Sequence, residues 1–384
     1  MSASLASKWD FAFVLPQLVL PSAKGSSASD DWPNGLSFAP DLVAIVPQSD
    51  GRVRSLRRSS AGLRQILRSF RDEYGRPYAP AVMLLSRRLP DAVRNDLSSS
   101  VGFRNAIAMS AVLRARAAHV RGHGRPYPTW SETFDFHSAQ LNRHDRMVLQ
   151  SPARLGLVSE RARLIFTPDA ALGFDAERML VDHYLLEGLG RAWRALFVKG
   201  KGRSPYLRRL FRSLDVAYAA AGIADRSQGS IHEYGLQVAQ WVSAIEILAR
   251  PEGGKVGHEE VLRFLGTAPA RVEFTKRRYR ARVGKRARPL STIERAYTYL
   301  YHARNAFLHG NPVGGSTLHT RTGKRTIGLP LLASLVYRIA LVAYLNRRYR
   351  KEPSWRTFWT RSFEVYEQFE YDEALADAFG LSLP

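Results

Sequence analysis

Cysteine is absent from the 384 residues of the chain. Its absence excludes disulfide bonds, thiolate metal sites and a cysteine nucleophile, and it favours a cytoplasmic protein. A secretory signal is not indicated either. Pro16 and Gln17 interrupt the apolar run from Phe11 to Leu20, and Lys8 is the only basic residue before that run.

Acidic residues are scarce relative to basic ones, since 34 Asp and Glu stand against 57 Lys and Arg, a net charge of +23. Because the basic residues occur in clusters, this charge predicts a polyanionic partner and favours nucleic acid over a membrane. A solvated surface is the other interpretation, and it explains the charge but not the clustering. The apolar run from Leu329 to Leu345 contains Arg338 and is shorter than the about 20 residues of a membrane span, so it predicts a buried helix.

Recognisable cofactor and metal motifs are also missing. The sequence has no glycine-rich phosphate loop, no carboxylate cluster with metal spacing and no G-x-S-x-G nucleophile motif. We therefore expect a protein that uses neither a cofactor nor a metal ion.

The pattern of apolar residues divides the chain into three parts. Residues 1–173 mix strand and helix signals and predict an α+β domain, which we expect to act as a sensor or in substrate recognition. Residues 174–350 predict an all-α helical bundle. Residues 351–384 predict an acidic amphipathic segment, which either packs on the bundle or masks a basic groove.

Individual elements follow from apolar periodicity and from glycine and proline positions. Strands are predicted at Phe11 to Leu20, Asp41 to Pro47 and Ala81 to Leu85. Helices are predicted at Ser55 to Tyr74, Pro90 to Val120, Ala176 to Val198, Pro205 to Ala221, Ile231 to Ala249, Thr292 to Leu308 and Leu329 to Tyr349.

The helix from Thr292 to Leu308 carries the most unusual polar residues. Arg304 falls near the middle of its apolar face, where a guanidinium needs an anionic partner or a wet cleft. Asn305 and His309 are four residues apart, so that the Asn side chain is placed to orient the imidazole. Gly310 marks the end of the helix. A C-capping histidine and a snorkelling arginine are the alternative interpretation of this string.

Arg304-Asn305 followed by Phe307-Leu308-His309-Gly310-Asn311 resembles the R-x4-6-H motif of the HEPN superfamily, in particular its ApeA-like branch. The preceding run from Trp241 to Leu248 is similar to the family helix that carries a glutamate, here Glu246. The resemblance covers about residues 176 to 350. It implies a HEPN-like helical bundle and a metal-independent endoribonuclease that acts as a dimer in phage defence or a toxin system. A partner or inhibitor protein is also expected in such systems.

The resemblance and the residue chemistry assign a role to each candidate. His309 is expected to act as general base or acid in the attack of a ribose 2′-OH on the adjacent phosphate, and Arg304 to hold that phosphate. Glu246 is the expected partner of Arg304. His302 is the competing source of a second proton-transfer group, although it lies about 10 Å from His309 along the helix.

A basic insertion precedes the motif helix and predicts contact with an RNA backbone, with Phe274 and Tyr279 as aromatic residues available for base stacking. Its candidate phosphate contacts are Lys276, Arg277, Arg278, Arg280, Arg282, Lys285 and Arg286. A flexible basic loop without a specific partner is the alternative.

Two other functions remain open from the sequence. One is a catalytically inactive HEPN-like module that binds nucleic acid or a nucleotide and acts with a partner protein. Some family members carry a tyrosine two residues after the histidine as a nucleotidylation site, and Asn311 at this position argues against that regulation. The other is a DNA-binding regulator, for which the sequence shows no recognisable helix-turn-helix.

Overall fold

The structure, a computed structural model, describes residues 8–20, 35–72, 74–122, 130–137, 139–141, 147–151, 154–156, 174–175, 181–200, 204–222, 230–251, 254–270, 274, 276–283, 286–311, 313–322, 325–352 and 367–381. The chain forms two compact units. The first contains residues 1–107 and 126–179, and the second contains residues 108–125 and 180–384. The division differs from the predicted boundary at residue 173 because residues 108–125 join the second unit.

The first unit is built on a four-stranded antiparallel sheet. Its strands are β1 (Trp9–Leu15), β3 (Leu36–Ala39), β4 (Val43–Val46) and β5 (Ala81–Ser86), in the order β1-β5-β4-β3. Every residue of β4 and β5 is buried, which explains why these strands have continuous apolar sequences. The strand predictions at Asp41 to Pro47 and Ala81 to Leu85 are confirmed. The strand predicted at Phe11 to Leu20 is divided by a turn at Pro16 and Gln17 into β1 and a two-residue strand, Leu18–Val19.

Two short helices pack on this sheet where a single long helix was predicted. They are α1 (Gly51–Ser59) and α2 (Ala61–Arg68). Ser60 is extended and its hydroxyl accepts a hydrogen bond from the Leu63 amide at 2.9 Å, so it ends one helix and caps the next. Val53, Leu63 and Ile66 of these helices join Val82 and Leu84 in one apolar core.

The remaining strands of the first unit form two small sheets. Short strands β2 (Leu18–Val19) and β9 (Phe174–Asp175) pair in parallel. The other three are β6 (Ala139–Leu141), β7 (Met147–Ser151) and β8 (Arg154–Gly156), which form an antiparallel sheet. Two helices, α3 (Asp91–Arg94) and α4 (Leu97–Val120), follow β5 in the chain, and the second half of α4 belongs to the second unit.

The second unit is mostly helical. Its helices are α5 (His183–Trp193), α6 (Pro205–Gly222), α7 (Ile231–Ala249), α8 (His258–Leu265), α9 (Thr292–Leu308), α10 (Leu329–Tyr349) and α11 (Glu367–Phe379). The predicted bounds of α7, α9 and α10 are confirmed. The prediction of an all-α bundle holds only as a mostly helical unit, because two β-hairpins interrupt it: β10 (Tyr279–Val283) with β11 (Arg286–Leu290), and β12 (His319–Thr322) with β13 (Arg325–Gly328).

Helix α7 is central to the second unit and contacts α6, α9 and α10. Its Trp241 is fully buried and lies 5.2 Å from the ring of Tyr337 in α10. At its other end, Gly235 allows the ring of Phe307 in α9 to come close, since a Cβ at this glycine would lie 2.3 Å from that ring. The close approach fixes the end of α9 that carries the Arg304 to His309 motif.

By length and composition alone, helix α10 could cross a membrane. However, 83% of its most apolar 18-residue stretch is buried inside the protein. The prediction of a buried helix is confirmed. Arg338 in the middle of α10 is 2% exposed, and its Nε donates to Asp182 Oδ2 at 3.0 Å. A buried cation of this kind is tolerated because a carboxylate compensates its charge.

The acidic C-terminal helix α11 packs on the bundle. Gln368 accepts a hydrogen bond from Arg338, and the ring of Tyr371 lies 4.2 Å from the same guanidinium. Glu370 forms an ion pair with Arg114 of α4 at 2.7 Å. Residues 353–366 of the predicted acidic segment, including Glu364, lie outside the described residues.

Candidate active site

Helix α9 carries the predicted motif, and its two ends have clear causes. At the start, Ser291 and Glu294 form a capping box, with the Ser291 amide donating to Glu294 Oε2 at 2.8 Å. At the end, Gly310 has φ +67° and the Asn311 amide donates to the carbonyl of Ala306 at 3.1 Å. A glycine in the left-handed conformation, followed by an amide that donates to the carbonyl five residues earlier, forms a Schellman motif. This motif ends the helix at Leu308.

The predicted pairing of Arg304 with Glu246 is confirmed. Arg304 Nη2 of α9 lies 3.9 Å from Glu246 Oε2 of α7, and the two side chains are 26% and 17% exposed. The distance between Nη2 and Oε2 is longer than a hydrogen bond, so the two charges attract each other without a hydrogen bond between them.

Glu246 is held in surroundings that resist its ionisation. Burial raises the pKa of Glu246, and the nearby Arg304 lowers it again in part. Tyr297 of α9 lies in the same surroundings. Burial raises the pKa of Tyr297 well above its usual value, and the Glu246 carboxylate raises it further. At 3.9 Å the Glu246 carboxylate accepts no hydrogen bond from Arg304, so it uses none of the N–H donors of that guanidinium.

The guanidinium of Arg304 keeps unused hydrogen-bonding capacity. Its Nη1 donates to Asn305 Oδ1 at 3.0 Å. Its buried Nε has no acceptor among the residues that the structure describes. An arginine has five N–H donors in a planar fork, and an unmade hydrogen bond from a buried donor is costly. An additional anion at this position would satisfy it.

Asn305 is placed differently from its predicted role. Its side-chain oxygen accepts from Arg304, and the contact with His309 is a backbone hydrogen bond from the His309 amide to the Asn305 carbonyl at 3.0 Å. The first unit contains the same local contact, in which Arg104 Nη2 donates to Asn105 Oδ1 at 2.9 Å. The Arg–Asn contact is thus a local feature of this dipeptide in a helix and not specific to the motif.

His309 is the exposed C-capping residue of α9. Within the described part of the chain its imidazole has no hydrogen-bond or ion-pair partner. Arg304 points to α7, and five residues along a helix correspond to a rotation of about 140° between the two side chains. One copy of the helix therefore does not aim both groups at a single phosphate.

His302 is exposed and lies beside a histidine that sequence analysis did not select. The ring of His258 in α8 stacks on Tyr301 at 4.3 Å, and its centroid lies 6.0 Å from that of His302. Its Nε2 is 3.2 Å from Thr298 Oγ1. Burial lowers the pKa of His258 to about 4, assisted by His302 and by Arg288. Sequence spacing could not have predicted the contact between His258 and Thr298, because these residues are 40 positions apart.

The basic insertion is a β-hairpin and not a flexible loop. Arg277 and Arg288 lie 3.7 and 3.3 Å from the buried carboxylate of Glu294, so their charge is partly used inside the unit. The exposed members of the predicted set are Lys276, Arg277, Arg278, Arg280, Arg282 and Arg286, while Lys285 lies outside the described residues.

The aromatic residues of the hairpin are less available than expected. Phe274 is fully buried, which contradicts the prediction that it can stack on a base. The guanidinium of Arg295 lies 4.1 Å from the ring centroid of Tyr279 and covers one face of that ring. The hairpin also joins α9 at Thr292, so that Arg304 is twelve residues, or about 18 Å, further along the helix.

The described residues contain no group of three His, Asp or Glu side chains placed to hold a metal ion. Comparison of the chain with protein-family models, with curated proteins and with solved structures finds no match.

Proposed function

We propose that the second unit is a HEPN-type, metal-independent endoribonuclease that cleaves RNA by attack of a ribose 2′-OH on the adjacent phosphate. The observation that carries the proposal is the state of Arg304. This arginine is half-buried on an apolar helix face, and its neighbouring carboxylate, Glu246, lies 3.9 Å away, beyond hydrogen-bond distance. One buried N–H of Arg304 has no acceptor among the residues that the structure describes. Such a guanidinium can donate hydrogen bonds to a phosphate.

In the proposed reaction the 2′ oxygen forms a bond to phosphorus and the bond to the 5′ oxygen breaks. One imidazole removes the proton of the 2′-OH, and a second acid protonates the leaving 5′ oxygen, which leaves a 2′,3′-cyclic phosphate. Arg304 stabilises the charge that grows on the non-bridging oxygens. His309 supplies the base or the acid, because imidazole titrates near neutral pH.

A homodimer supplies the second imidazole in this proposal. Exposed apolar side chains lie at the motif end of the bundle, where Leu308 is 52% and Ile231 is 42% exposed. The approach of Gly235 to Phe307 shows that the start of α7 and the end of α9 are neighbours. A second copy that covers these side chains would bring two His309 residues toward one cleft.

The exposed arginines of the hairpin support RNA as the partner. Arg280 and Arg282 alternate with Tyr279, Ala281 and Val283 along β10, so they project from the same face of the hairpin. A basic β-ribbon of this kind suits the phosphate backbone of RNA. We place the protein in the cytoplasm, acting in phage defence or as a toxin whose activity is controlled by a partner or inhibitor protein.

The second candidate function is an inactive HEPN-like module that binds nucleic acid or a nucleotide and acts with a partner protein. The observation in its favour is that Asn305 directs its side-chain oxygen to Arg304 and not to His309. An imidazole without an orienting group is a weaker proton-transfer catalyst.

RNA cleavage in EDTA separates the two functions. We expect cleavage with cyclic phosphate ends that survives EDTA, because the proposed chemistry uses only side chains. His309→Ala should lower the rate by about 10²–10⁴-fold, the usual effect of losing a general acid or base. Arg304→Lys should also be poorly active, since an ammonium does not reproduce a planar fork on phosphate.

The matched control is His119→Ala, which removes an exposed histidine at the end of α4. This variant should keep wild-type activity. RNA binding without cleavage in the wild type would favour the inactive module, and full activity in both His309→Ala and Arg304→Lys would remove the catalytic assignment.

A further inference from the structure

A cavity of about 770 Å³ lies in the second unit, away from the Arg304 to His309 motif. Its walls come from the start of α6, the end of α7, the helix α8 and the last turn of α10. The cavity has the size of an ordinary small-ligand site, for which about 300–1,000 Å³ is typical.

The charge of this cavity is strongly one-sided. Seven of its lining residues are arginine or lysine, and Glu260 is the one carboxylate among the described lining residues. Five of the seven have no hydrogen-bond acceptor or carboxylate partner for their side chains in the described part of the chain: Lys255, Arg263, Arg347, Arg348 and Arg350. The Glu260 carboxylate is already engaged, because it accepts the Gly257 amide at 3.0 Å.

The two other cations of the cavity are held by backbone oxygens. Arg209 donates to the carbonyl of Arg250, and Arg250 Nε donates to the carbonyl of Gly254 at 3.3 Å. These contacts shape the wall but supply no negative charge. The C-terminal end of a helix favours nearby positive charges, which explains why Arg347 and Arg348 occur in the last turn of α10. The effect of helix C-termini does not explain why cations from α8, α10 and the segment after α7 line the same concave site.

The cavity has a rigid aromatic wall. Tyr206 and Tyr344 stack with ring centroids 4.1 Å apart, and Phe264 meets Tyr344 edge to face at 6.5 Å. The two tyrosine hydroxyls donate to each other's backbone carbonyls, at 2.5 and 2.8 Å. The five cations without partners are exposed, and an apolar wall beside them focuses their field on the concave space that they line.

We propose that this cavity binds a small ligand that carries a compact polyphosphate group, either free tripolyphosphate or the triphosphate of a nucleotide. All seven cations line a single cavity of about 770 Å³, so they suit several negative charges held close together. An RNA strand, in contrast, spreads one charge over each nucleotide. The proposal does not depend on the ribonuclease function.

The test is calorimetric titration of the full chain with tripolyphosphate and with ATP in separate experiments, without a divalent cation. We expect saturable binding with one site per chain. Arg263→Ala and Arg347→Ala, on two different walls, should each weaken it at least tenfold, while Arg263→Lys should keep most of the affinity because it keeps the charge. Tighter binding of ATP than of tripolyphosphate would identify a nucleotide, and equal binding would identify the phosphates alone.

The matched control is Arg57→Ala in α1, which removes one charge from the basic surface of the first unit. It should leave the affinity unchanged. Equal losses in Arg57→Ala and Arg347→Ala would show nonspecific attraction to a basic protein and overturn the proposal. So would the absence of saturable binding to both ligands, or displacement of bound tripolyphosphate by a short single-stranded RNA at lower concentration than by ATP. Circular dichroism of each variant at the titration temperature checks that it is folded.

Discussion

Arg304 and Arg338 each lie on an apolar helix, and their surroundings neutralise them to different degrees. Arg338 has a carboxylate at 3.0 Å and an aromatic ring at 4.2 Å, and it is 2% exposed. Arg304 has its carboxylate at 3.9 Å and is partly exposed. A fully compensated guanidinium stabilises the fold and has little to offer a ligand, whereas Arg304 retains the capacity to bind phosphate.

At the residue scale, we predict that His258 makes the second unit sensitive to acid. Its pKa is lowered to about 4 in the folded state, so between pH 6.5 and 4 the unfolded state binds the additional proton. This contribution to stability is fully present above about pH 6.5 and is lost as pH falls toward 4. Wild-type protein should therefore lose on the order of 1 kcal/mol through this group between pH 7 and 5.

The measurement is the thermal midpoint of the full chain at pH 7 and pH 5. His258→Gln should have a lower midpoint at pH 7, because the stack on Tyr301 is lost, but a smaller decrease on acidification. His119→Gln, at an exposed position, should keep the wild-type pH dependence. An unchanged pH dependence in His258→Gln would show that this imidazole is not the acid-sensitive group.

At the scale of elements, the contact between α7 and α9 depends on one glycine. Gly235→Ala would place a Cβ 2.3 Å from the Phe307 ring, and we expect it to destabilise the unit by about 1–3 kcal/mol, as overpacking does. Phe307→Leu in the same chain should recover part of this loss, since it removes the ring edge. Urea unfolding of the single and double variants measures both effects.

Gly51→Ala is the control for this pair, because nothing lies within 4 Å of a Cβ added there. It should be close to neutral. A Gly235→Ala variant with wild-type stability would mean that α7 and α9 separate easily, and the argument that this contact fixes the motif would then fail.

Elements with a local signal could be predicted from the sequence. Ser230 and Ser291 are the N-cap residues of α7 and α9, and each serine is followed three residues later by a glutamate that completes a capping box. The alternation of Tyr279, Ala281 and Val283 with arginines was also a readable strand signal, although the sequence was interpreted as a loop.

Contacts between elements were harder to predict. The partner of Arg304 could be inferred because an arginine on an apolar face requires a carboxylate, and Glu246 lies in the run from Trp241 to Leu248 that resembles the glutamate-bearing helix of the family. The position of His258 and the convergence of cations near α10 depend on how α7, α8 and α10 pack together, and no spacing along the chain encodes that packing.

At the scale of the molecule, we predict that two chains share one active cleft. A heterodimer of wild-type and His309→Ala chains, isolated with two different tags, should have far less than half of the wild-type ribonuclease activity, because each cleft needs an imidazole from both copies. A heterodimer of wild-type and His119→Ala chains should be fully active. Half activity in the first heterodimer would indicate two independent sites.

The two units are interleaved along the chain, since residues 108–125 belong to the second unit although most of that unit begins at residue 180. Arg116 donates to the carbonyl of Ala221 at 3.2 Å, and Arg114 pairs with Glu370 in the last helix. During synthesis these arginines leave the ribosome long before their partners exist. Until α11 has left the ribosome, Arg338 also lacks its contacts with Gln368 and Tyr371. The second unit is therefore completed only after α11 has left the ribosome, and a fragment beginning near residue 174 would lack residues 108–125 of it.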